Sequence, residues 1–156
     1  MPSTTIRRKD RALSEEEAFK ILKAGEYGVL STIGEDGYPY GVPVSYAYTG
    51  DGKIWFHGAR EGHKVSNIKF SSKVSFTVVG PTTVLPSKFS TIYSSVIAFG
   101  RIHICEGEEK MKGIMAIVAK YSPGFMNQGQ EYAQKAMDRM NVYYMDIEAI
   151  SGKARK

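Results

Sequence analysis

The stretch His57-Gly-Ala-Arg-Glu-Gly-His-Lys64 carries the densest chemistry in the chain. Arg60, His63 and Lys64 supply cations, while Gly58 and Gly62 let backbone approach closely. Val65, Ile68 and Phe70 fit a short amphipathic helix that starts near Gly62, so its free N–H groups face the loop. This combination predicts a phosphate cradle, and a solvated basic turn is the alternative that these residues alone leave open. The run is one residue too short between its glycines for a Walker loop, no Ser or Thr follows the lysine, and it is not G-x-G-x-x-G. Pro43, inside Val42-Pro-Val-Ser-Tyr46, is a second irregularity, because proline cannot donate to a ladder. A planar ligand lying along the strand and an ordinary barrel corner account for it equally well. His103 and Cys105 share a strand face with no second pair at zinc spacing, so no metal site is expected. One cysteine, three histidines and no G-x-S-x-G elbow give no nucleophilic triad.

The elements that must position these groups read as strands with a few helices. Ser14 followed by Glu15, Glu16 and Glu17 is a capping-box pattern, and Ala18, Ile21 and Leu22 continue a helix to about Ala24. Tyr27 to Tyr48 reads as a hairpin turning at Gly34-Glu-Asp-Gly37, with Val42, Val44, Tyr46 and Tyr48 alternating. A turn at 49–53 leads to a third strand, with Trp55 and His57 on one face and Ile54 and Phe56 on the other. Lys73–Val79 is a strand, and Gly80 to Ser90 is a loop or irregular edge with two prolines. Tyr93–Cys105 is a long strand that is apolar on both faces, as a barrel strand is. Helices over Glu108–Tyr121 and Gln130–Met140 precede a last strand over Asn141–Ile150. Strands and helices do not alternate regularly, which disfavours a doubly wound parallel sheet. The prediction is a mainly β domain with helical decorations, a six-stranded antiparallel barrel.

The 156 residues are 42% hydrophobic and 24% charged, which suits one globular domain over 1–156. The lone Cys105 allows no internal disulfide. The longest apolar run, Ile114 to Ala119, is far short of the ~20 residues of a membrane span, and the first 17 residues contain no apolar stretch like a signal peptide. These features predict a cytoplasmic protein. The net charge of +5 belongs to the ends: Arg7, Arg8, Lys9, Arg11, Lys153, Arg155 and Lys156 form basic tails over 1–12 and 151–156, and the body between them is nearly neutral. A duplex-binding groove needs its cations on the body, so no nucleic-acid partner is expected.

In order along the chain, RRKDR, the capped helix, GVLSTIGEDGYPYGVPVSY, WFHGAREGHK, YSSVIAFGRI, EEKMKGIMAIVAKYSP and GKAR resemble the flavin-binding split-barrel proteins related to pyridoxamine 5′-phosphate oxidase. Within that group the chain is most similar to the nitroimidazole-resistance branch, and the resemblance runs from about Arg7 to Arg155. It implies a homodimer with FMN in each of two clefts between the subunits, FAD being the alternative flavin. Lys64 would pair with the flavin phosphate, helped by Arg60 or His63. Pro43, Val44, Ser45 and Tyr46 would lie along the isoalloxazine, with His57, Gly58 and Ala59 close by and Ser95 and Val96 approaching at the subunit interface. His57 would then be the proton donor for reduction of a nitro group or similar small acceptor, with NADH or NADPH as electron donor. The chain ends in Glu-Ala-Ile-Ser-Gly-Lys-Ala-Arg-Lys, without the Trp- and Arg-containing C-terminal segment of the vitamin oxidases, so oxidation of the vitamin is not expected. A non-catalytic flavin carrier or sensor, and a barrel holding deazaflavin or haem, are the other readings that the resemblance leaves open.

Overall fold

The computed structural model describes residues 1–156. Eight strand segments, β1 Gly28–Ile33, β2 Pro39–Val44, β3 Ala47–Tyr48, β4 Lys53–Ala59, β5 Lys73–Val79, β6 Thr83–Leu85, β7 Ser90–Ile104 and β8 Met140–Arg155, combine with four helices. The helices are α1 Glu15–Ala24, α2 His63–Phe70, α3 Gly107–Tyr121 and α4 Met126–Ala136. The sheet runs β2-β1-β5-β7-β8-β4-β3, antiparallel at every pair, with β6 appended to β7. The two ends of that order, β2 and β3, are halves of one strand broken at Ser45 and Tyr46. Counted once, they close a ring of six strands, the split barrel expected.

Alternation fills the barrel. Leu30, Ile54, Phe56, Phe76, Val78, Val96, Ala98, Tyr143 and Met145 point inward, and α1 adds Ala18 and Leu22 to the same core. The predicted capping box starts α1: Glu17 N–H donates to the Ser14 hydroxyl at 3.2 Å, and Ser14 N–H donates to the Glu17 carboxylate at 2.9 Å. A second core lies outside the barrel wall, where α3 and α4 bury Trp55, Cys105, Ile114, Ile117, Ala133, Ala136 and Val142. Both faces of β4 are therefore covered at Ile54 to Phe56, each large side chain contributing about 1.5–3 kcal/mol, and only its end from His57 onward reaches solvent.

Four expectations need correction. The last strand does not stop at Ile150: β8 continues to Arg155, paired with β7 from Tyr143 onward, and Ala12 bridges Lys153. The predicted tails are thus docked, because the β7 edge supplies partners for their backbone. The fourth helix occupies Met126–Ala136 instead of Gln130–Met140, since Met140 is drawn into the sheet opposite Ala59. The proline-rich stretch contains strand β6 and a 3-10 turn over Pro86–Lys88. Finally, the strand through Tyr46 is broken where the sequence reads it as continuous.

At that break α3 supplies what the sheet does not. The Tyr46 N–H donates to the Tyr121 hydroxyl at 3.0 Å, and that hydroxyl is in donating reach of the Glu26 and Tyr46 carbonyls. Lys120 Nζ donates to the carbonyls of Gly25 at 2.6 Å and Tyr46 at 2.9 Å, and stands 3.6 Å from the centre of the Tyr46 ring. The ring itself is fully buried, with its hydroxyl donating to the Leu22 carbonyl, and burial raises its pKa. Tyr121→Phe leaves the Tyr46 N–H without a partner, so urea denaturation is expected to show a loss of about 1–3 kcal/mol. Burial brings Lys120 down to about 8 from 10.5. Between those values the unfolded chain holds a proton that the fold has released, so this group makes stability rise with pH over that interval. Lys120→Met is expected to remove that rise when the two proteins are unfolded in parallel at pH 8, 9 and 10.

Candidate functional site

Beyond the Ala47↔Trp55 pair the β3–β4 ladder stops. Continued in the same register, it would set Ser45 opposite His57 and Pro43 opposite Ala59. Instead β2 pairs only with β1, and β4 pairs only with β8 past this point. Two strand edges, Pro43–Ser45 and His57–Ala59, are left facing a slot in the wall. Pro43 is tolerated because β2 has no second neighbour. Pro43, Ser45, His57 and Ala59 are exposed, whereas Val44 leans on the core and Tyr46 is buried in it. The Tyr46 N–H and carbonyl are already held by Tyr121 and Lys120, so the backbone open to a ligand here is that of Pro43 to Ser45.

The chain then turns through Arg60–Gly62 into α2. Gly62 adopts φ 138°, open to glycine at little cost, and α2 starts without a side-chain cap, which leaves its first N–H groups free. Lys64 lies under β4: a Cβ on Gly58 would stand 2.8 Å from its Nζ. No carboxylate pairs with Lys64. Burial lowers its pKa, and His57 is lowered as well, first by burial and then by the Lys64 charge. An uncapped helix end, an uncompensated ammonium and a glycine that leaves room for it form a seat for an anion.

The other predicted residues are placed differently. Arg60 turns away from the slot and donates to the Asp138 carbonyl at 2.9 Å. His63 stacks on Tyr40, centroids 3.9 Å apart, and lines a cavity with Glu35, Asp36 and Asn67 at the β1–β2 turn. Ser95 and Val96 lie two strands from β4, opposite Lys153 and Gly152. Val142, the partner of His57 on β8, is therefore separated from Lys153 by roughly 36 Å of strand. Val96 also points into the core, so within one chain neither residue joins the slot. Sequence reasoning missed Lys120 and Tyr121, whose only signal was their place at the end of a helix stopped by Ser122-Pro123. Of the His103–Cys105 pair, His103 faces Asp146 at 3.4 Å, and Cys105 is buried with its thiol raised to about 12. No group of three or more metal-ligating side chains is gathered anywhere, and no helix is long and apolar enough to cross a membrane.

Comparison with known proteins agrees with this architecture. Solved structures that share the fold include a 5-nitroimidazole antibiotic resistance protein from Bacteroides thetaiotaomicron, at 18% identity and TM-score 0.76, covering 91% of this chain and 85% of that one. A FAD-binding protein from Mesorhizobium loti matches at 22% identity and TM-score 0.65 over 94% of this chain and 98% of its own. A FAD- and haem-binding protein from Mycobacterium smegmatis matches at 19% identity and TM-score 0.78 over 92% and 72%. No curated protein matches the sequence. The family model described as pyridoxamine 5′-phosphate oxidase matches residues 14–154, nearly the whole chain including β2, β4, α2 and the strand break, and the protein belongs to that family.

Proposed function

We propose that the protein binds FMN in the slot between Pro43–Ser45 and His57–Ala59 and works as a flavin-dependent oxidoreductase that reduces a nitro group or a similar small acceptor, with NADH or NADPH as electron donor. The observation that carries this reading is the pair of unpaired strand edges ending at Lys64 and the free N-terminus of α2. The solved relatives that bind FAD, and the one associated with nitroimidazole resistance, support it. The residues fit the group. The α2 N–H groups and the Lys64 ammonium would take the phosphate, and the Pro43 carbonyl with the backbone of Val44 and Ser45 would offer donors and acceptors to a planar polar edge. A bound flavin supplies one- and two-electron transfer. The protein's part is to orient it, to balance its negative charge with Lys64, and to move a proton. His57 is the titratable side chain exposed on the slot, and its ring N–H in the protonated form is the proton source for the reduced acceptor. Arg60, held by Asp138, has no part in this arrangement.

A homodimer completes the reading. Ile33, Val79 and Ile97, at 42%, 59% and 39% exposure, stand among Ser75 and Thr77 on the outer faces of β1, β5 and β7, a surface that a second copy would cover. Ser95 is on β7 beside Val79, so it would enter a cleft only from the other subunit.

Lys64→Ala is expected to weaken FMN at least tenfold in a fluorescence titration with its fold intact by circular dichroism. Unchanged affinity would remove the phosphate assignment. The flavin extracted from the purified protein, read by mass, decides between FMN and FAD. For His57, whose pKa lies below its ordinary 6.5, steady-state nitroaromatic reduction with NADPH should accelerate as pH falls through that value. His57→Gln should lose that acid limb while keeping FMN affinity. A single stoichiometric reduction with no turnover in the parent protein would instead mark a flavin carrier.

A further inference from the structure

The two basic ends meet in a cleft of about 580 Å³ on the far end of β8, lined by Arg8, Asp10, Arg11, Leu13, Glu17 and Arg155, with Lys156 at its rim. The cleft is built, not a chance approach of loose tails. Leu13 N–H donates to the Gly152 carbonyl at 2.9 Å, Arg11 N–H donates to the Arg8 carbonyl at 3.0 Å, and Ala12 bridges Lys153. Its two carboxylates are already committed. Asp10 takes a two-pronged bond from Arg8 at 2.8 and 2.5 Å, and Glu17 serves the Ser14 capping box with Lys156 at 3.9 Å. Arg11 and Arg155 have no carboxylate partner. Arg155 lines the cleft, and its Nη1, shielded from solvent, makes no hydrogen bond, so its donors meet a ligand when the side chain turns toward the cleft.

A buried guanidinium N–H without an acceptor costs free energy unless a ligand completes it. The neighbouring phenol reports the same field: Tyr93, paired across the ladder with Arg155, is desolvated in the direction that would raise its pKa, yet Arg11 and Lys153 bring it below its ordinary value. Planar guanidinium forks suit tetrahedral oxyanions, to which they donate in pairs.

We propose that this cleft is a second anion site, distinct from the Lys64 seat, that takes the phosphate group of a small phosphorylated ligand between Arg11 and Arg155. Its cations are gathered in one cleft and are not spread along a stripe, so the ligand is a compact phosphate and not a polymer. The proposal does not depend on the flavin reading.

The test is titration of the purified protein, with whatever cofactor it carries, with inorganic phosphate and pyrophosphate, following thermal stability and calorimetric heat while chloride keeps ionic strength constant. Saturable stabilisation by either anion, absent with chloride or acetate, is expected. Arg155→Gln and Arg11→Gln should each weaken it at least tenfold, whereas Lys20→Gln, which removes an exposed cation of α1 outside the cleft, should leave it unchanged. Phosphate acting no better than chloride would overturn the site. So would binding that survives both arginine variants, and so would binding lost only in Lys64→Ala, which would assign the anion to the slot. If one arginine variant fails to fold, the other still decides.

Discussion

The hydrogen bonds that Lys120 and Tyr121 make to Tyr46 are the constraint on which the site depends. A barrel strand that breaks leaves backbone donors and acceptors facing the interior or the rim, and each costs free energy if it stays unmet. Here the last turn of α3 meets them, which lets β2 leave its neighbour without unravelling the ring. The same residue, Tyr46, anchors the break from inside through its hydroxyl on Leu22 and its edge-on contact with Phe76, centroids 4.7 Å apart. The slot is therefore the consequence of a break sealed on one side and left open on the other.

Electrostatics then give the open side its selectivity. Exposed ion pairs are worth at most about 1 kcal/mol, and the chain has several, such as Lys20 with Glu16. Lys64 is different, being half-buried, without a carboxylate, and set beside an imidazole whose charging it opposes. Such a cation is held at a cost that an incoming dianion relieves. Arg60 keeps its full charge but is drawn toward the Asp138 carbonyl, to which it donates at 2.9 Å, so the loop richest in cations in the sequence presents fewer of them to the slot than a count suggests.

That contrast marks the limit of what the sequence made legible. The barrel, the capping box of α1 and the seat at Gly58, Gly62 and Lys64 follow from periodicity, capping chemistry and glycine placement, all of which are local. Where Arg60 and His63 point is decided by Asp138 and Tyr40, partners 78 and 23 positions away in the numbering, and no local pattern announces such partners. The strand break was half visible. Pro43 signalled an interrupted ladder, but the residues that seal it sit at the end of a helix some 75 positions on. The docked termini were misread for a related reason: a basic, polar sequence carries no hydrophobic alternation, and β8 extends through it because the free edge of β7 is there to be paired.

β8 ties the slot and the terminal cleft into one geometry. Its Val142 pairs with His57 beside the slot, and its Arg155 pairs with Tyr93 at the terminal cleft, so the two sites are separated by roughly 40 Å of strand. With a Debye length of ~8 Å at physiological salt, their charges hardly influence one another inside a single chain.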